Sequence, residues 1–80
     1  MTLTIEEARI LNEIIVEELV EFGLLKATKE KARAVKELTP RVARRFDEVG
    51  SKEGKIFLYP LPSLERVVLR KIDELEAQCV

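Results

Sequence analysis

Eighty residues make one small domain, and 14 Lys and Arg against 15 Asp and Glu, with 46% hydrophobic residues, are the balance of a folded chain and not a disordered one. The absence of histidine excludes His-based acid–base or metal chemistry, and a single cysteine, Cys79, excludes an internal disulfide and a Cys-rich zinc site. No apolar run nears the roughly 20 residues that span a bilayer, and residues 1–7 lack the basic-then-apolar order of a secretory signal, so the expected location is intracellular, by default cytoplasmic.

Asn and Gln occur once each (Asn12, Gln78) amid abundant Lys, Arg and Glu, a pattern seen in heat-adapted proteins. The first element reads as a helix over 4–22. Thr4 with Glu7 three residues on forms a capping box, and Leu3 is placed to staple against Ala8. Gly23 supplies a C-terminal stop, with Leu24 as the apolar contact after it. At 3.6 residues per turn Ile5, Ala8, Leu11, Ile15, Val16, Leu19, Val20 and Phe22 share one broad face. Glu6, Glu7, Glu13, Glu17, Glu18 and Glu21 fill the other, and Ile10 and Ile14 fall inside it. Apolar residues on an acidic face of so small a chain point either to association, with Ile10 and Ile14 as the expected oligomer interface, or to a central first helix buried on both sides, and association is the reading placed first. Asn12, set in the apolar arc, is of the type that fixes register in helix pairs.

The spacing predicts a second helix over 28–38, capped by Thr28. Thr39-Pro40 then reads as a break, since Thr is a good cap, Pro suits the first helical position and Pro disfavours helix at the residue before it. A third helix follows over 40–49, with Val42, Phe46 and Val49 inward and Gly50 as its stop. Ser51-Lys52-Glu53-Gly54 is turn-like, Ile56 to Tyr59 is a short β-prone run, and Pro60 and Pro62 favour extended backbone. The last helix is expected over 63–78 on a stripe of Leu64, Val68, Ile72, Leu75 and Cys79, widened by Val67 and Leu69. The fold class is therefore all-α, a small four-helix domain with a helix-turn-helix-like middle and one short extended segment at 55–59.

No catalytic constellation emerges. The carboxylates have no His, Cys or glycine-rich loop beside them, Asp47-Glu48 and Asp73-Glu74 diverge as neighbours on a helix, and Ser51 and Ser63 lack a base. Neither a cofactor nor a small-molecule substrate is indicated. Charge is uneven, however: residues 1–25 carry −5, residues 26–45 carry +6 and residues 46–80 carry −2. Two readings follow from the basic stretch. In the first, Arg41, Arg44 and Arg45 on a recognition helix contact double-stranded DNA, supported by Lys29, Lys36, Lys52 and Lys55, in a homodimeric helix-turn-helix-like regulatory protein. Lys36 stands where the turn of that motif prefers Gly, and Arg45 where it prefers an apolar residue. In the second, the basic stretch neutralises Glu13, Glu17 and Glu21, whose spacing of four makes them mutually repulsive, or pairs locally as Arg33–Glu37, Glu37–Arg41 and Arg44–Glu48. The chain is then a protein-interaction module or helical homo-oligomer with no nucleic-acid role.

Overall fold

A computed structural model describes residues 3–54 and 59–78. Among these there are four helices and no strand: α1 (Ile5–Phe22), α2 (Leu24–Lys29), α3 (Lys31–Lys52) and α4 (Leu61–Gln78). The expected strand lies outside the described residues except for Tyr59, as do Lys55 and Cys79. No helix among the described residues is long and apolar enough to cross a membrane.

The capping box forms as expected. The Glu7 N–H donates to Thr4 Oγ1 at 3.1 Å and the Thr4 N–H donates to Glu7 Oε1 at 2.9 Å, satisfying two orphan donors. Gly23 ends α1 with φ +106°, a value that suits glycine, while its N–H still donates to the Leu19 carbonyl. The chain turns at once into α2. Thr28 is not a cap: it sits inside α2, where its hydroxyl donates to the Leu25 carbonyl at 2.8 Å. The next corner is a single residue, Glu30, with φ −123° and ψ 59°.

The largest departure is at Thr39-Pro40. No break occurs there, and α3 is one helix of 22 residues that carries Pro40 within it. The reason is the stripe on its inner side. Ala34, Leu38, Val42, Phe46 and Gly50 recur every fourth residue and are all buried, so a break at residue 39 would split one ridge into two halves unable to pack together. Pro40 points to solvent, so its ring and the Lys36 carbonyl it fails to satisfy both lie on the wet side. Thr39 is buried, and its hydroxyl donates to the Val35 carbonyl at 2.6 Å. Gly50 likewise does not stop the helix, which runs two residues further. At ~1.5 Å per residue α3 is about 33 Å long and accounts for most of the 40 Å long dimension.

In α4 the prolines act as starters. The Leu64 N–H donates to the Pro60 carbonyl at 3.0 Å, and Pro62 lies in the first turn, where a missing N–H costs nothing. α4 packs along α3 and closes the core with Leu64, Val68 and Ile72.

The buried stripe of α1 is not the one expected from its apolar arc. Leu11, Ile14, Ile15, Glu18 and Leu19 are buried, whereas Ile5 is 92% exposed and Val20 60%. Ile14 therefore belongs to the core of its own chain, and Ile10 packs half-buried against that core. The pair expected at an oligomer interface is turned inward, because α1 is covered by α2, α3 and α4 together.

Candidate functional site

The rotation of α1 carries Glu18 inward with Ile14 and Leu11, one and two turns before it. Its side chain is 5% exposed and faces α3. There the basic side chains Arg41 and Arg45, one turn apart, close over it. Arg45 Nη1 donates to Glu18 Oε2 at 2.9 Å, and Arg45 Nη2 donates to Glu17 Oε1. Arg41 Nε lies 3.0 Å from Glu18 Oε1, a charge contact off the N–H direction that leaves this oxygen without an aligned donor. Arg41 Nη2 reaches Glu21 at 3.8 Å.

A buried carboxylate needs such partners, because desolvation of an unpaired ion costs several kcal/mol. Hydrogen bonds to Glu17 and then Glu18 raise the Arg45 pKa above its ordinary value. Glu17, Glu18 and Glu21 of α1 thus meet the positive charge of α3, while Glu13 faces away from it. Their mutual repulsion along the helix becomes attraction between helices.

Arg44 lines the same shallow depression, of about 420 Å³, with Glu18, Arg41, Arg45 and Glu48. Among the described residues Arg44 has no ion pair, and neither have Lys29, Lys36 and Lys52. These four do not form one basic face. The outward side of α3 carries Arg33, Lys36 and Arg44 interleaved with Glu37, Asp47 and Glu48. Arg33 is held by Glu37 at 3.1 Å and Glu30 at 3.4 Å. The other local pairs expected, Glu37–Arg41 and Arg44–Glu48, do not form among the described residues. Lys31 crosses to α4, contacting Glu76 at 2.8 Å and Asp73 at 3.0 Å. Those two hydrogen bonds, Glu76 foremost, raise its pKa. The stability that the Lys31 charge supplies through this contact is present at neutral pH and is lost as pH climbs through that raised value.

The expected recognition helix also differs in kind. In a helix-turn-helix the residues that read bases stand at the start of the second helix. Arg41, Arg44 and Arg45 instead occupy the middle of a continuous helix, and the turn precedes residue 31. No group of three or more His, Cys, Asp or Glu side chains among the described residues is arranged to hold a metal ion.

Glu18 is the charged residue whose placement the sequence pattern misses, since the pattern sets it on the acidic face. The signal was present: positions 11, 14, 15, 18 and 19 follow the helical core template, with a glutamate in one slot. Glu18→Gln is expected to lower stability by about 1 kcal/mol, the difference between charged and neutral hydrogen bonds at the same place. A urea unfolding midpoint that does not move would show the arginines to be held by Glu17 and Glu21 alone.

Comparison with known proteins found no family model, no curated protein and no solved structure that matches the chain.

Proposed function

We propose that this chain is a small non-enzymatic protein-interaction module that associates with itself. One observation carries the reading: Arg41 and Arg45, the centre of the basic stretch, are spent on Glu17, Glu18 and Glu21 of the same chain. Positive charge already neutralised releases no counterions from a nucleic acid, and so contributes little to binding one. Meanwhile apolar side chains remain outside the core, Ile5 at 92%, Leu25 at 71% and Val20 at 60% exposure.

Sedimentation velocity from roughly 10 to 500 µM, the range a small interface requires, tests the proposal. Mass is expected to rise with concentration. A chain that stays monomeric throughout overturns it.

A second reading, contact with double-stranded DNA, keeps one observation in its favour: Lys29, Lys36, Arg44 and Lys52 have no ion pair among the described residues. It requires duplex binding that falls steeply with salt and weakens in Arg44→Ala. Under the association reading, duplex binding at low salt is weak and indifferent to Arg44.

A further inference from the structure

The outward side of α1 opposes its core stripe. Ile5, Arg9, Asn12, Val16 and Val20 lie along it at intervals of three and four residues, with Glu13 at the margin. Ile5, Arg9, Asn12, Glu13 and Val20 are exposed and Val16 is half-buried. The stripe extends over about 22 Å at ~1.5 Å per residue. It has the spacing of a helix-pairing seam, apolar at both ends and polar in the middle.

We infer that this face pairs with the same face of a second copy, the two α1 helices running antiparallel about a two-fold axis beside Asn12. The inference rests on the association reading and specifies its geometry. The argument for the occupant is charge complementarity. Among the described residues neither Arg9 nor Glu13 has an ion pair. A parallel pair would set Arg9 against the second copy's arginine and Glu13 against its glutamate, like against like. An antiparallel pair brings each Arg9 beside the second copy's Glu13, so two equivalent ion pairs flank the axis.

The apolar positions agree with that direction. The midpoint of the stripe falls between Asn12 and Glu13, so Ile5 meets the second copy's Val20, and Val16 covers the stem of its Arg9. Asn12 meets its own symmetry mate, and an amide both donates and accepts, so the pair satisfies itself. The core side of α1 is occupied by α2, α3 and α4, which leaves this face clear.

Sedimentation equilibrium with charge swaps tests the inference. Arg9→Glu and Glu13→Arg, each alone, place like charges across the axis twice and are expected to raise the dimer dissociation constant about tenfold. Combined, they restore the attraction and are expected to return it to within about threefold of the original. Val16→Glu with Val20→Glu is expected to abolish dimers, and far-UV circular dichroism checks that these surface variants remain helical. An oligomer that persists in the double valine variant overturns this face while leaving the association reading in place. A combined charge swap that fails to restore affinity overturns the antiparallel direction. A wild-type chain that is monomeric throughout overturns both.

Discussion

Pro40→Ala is expected to stabilise the protein by about 2 kcal/mol. An interior proline costs a helix roughly 3 kcal/mol relative to alanine, through its missing N–H and its clash with the preceding turn. Part of that gain is returned, about 0.4–1 kcal/mol, because alanine loosens the unfolded chain. Pro40 lies ten residues into α3 and is exposed, so nothing in the core need move. The new N–H would reach the Lys36 carbonyl one turn back. For a domain of this size 1 kcal/mol moves the melting temperature by roughly 4–8 °C, so a rise of about 10 °C is expected in a thermal scan. The size and sign both discriminate. Were Pro40 the first residue of a separate helix capped by Thr39, its fixed φ would help and its N–H would not be missed. Alanine would then leave the melting temperature unchanged or lower it, and that outcome would sink the continuous helix.

Ile14→Lys is expected to remove about a third or more of the stability of the protein. Ile14 is 5% exposed and sits in the cluster with Leu11, Leu19 and Phe46. The substitution loses an apolar contact and forces an ammonium into it, costing about 4 kcal/mol or more. A chain of 80 residues has a total stability of roughly 4–12 kcal/mol. Ile10→Lys is the control. Ile10 is half-buried, so the lysine stem can cover the same surface with its charge in water, and the expected loss is about 1 kcal/mol. Urea unfolding followed by circular dichroism reads both. An Ile14→Lys chain whose urea midpoint did not fall and which lost only its association would return Ile14 to an intermolecular interface.

The pairing at Glu18 shows where sequence reasoning reaches and where it stops. The opposed charges of residues 1–25 and 26–45 are evident from composition, and neutralisation of the glutamates by the basic stretch is one of the two arrangements they allow. Which arginine meets which glutamate is not local information. It depends on α1 and α3 lying side by side with a particular rotation, so that Glu18 falls between Arg41 and Arg45. The sequence pattern misplaces the α1 rotation because Ile5, Val16 and Val20 shift the apolar arc toward one side, while three neighbouring helices pull Ile14 and Glu18 to the other. Arg44 lies between Arg41 and Arg45 in the chain, yet forms no ion pair among the described residues.

Local chemistry alone determined the helical class, the capping box at Thr4 and Glu7, the stop at Gly23, and the apolar stripe of the last helix from Leu64 to Leu75. Each depends on residues within a turn or two of one another, so short-range hydrogen bonding and periodicity suffice. Tertiary structure decided the continuity of α3 through Pro40, the interior placement of Ile14 and Glu18, and the capture of Arg41 and Arg45. In each of these a local preference worth about 1–3 kcal/mol was set against burial of a ridge or pairing of a charge across helices. The longer-range term won because it is summed over many contacts at once.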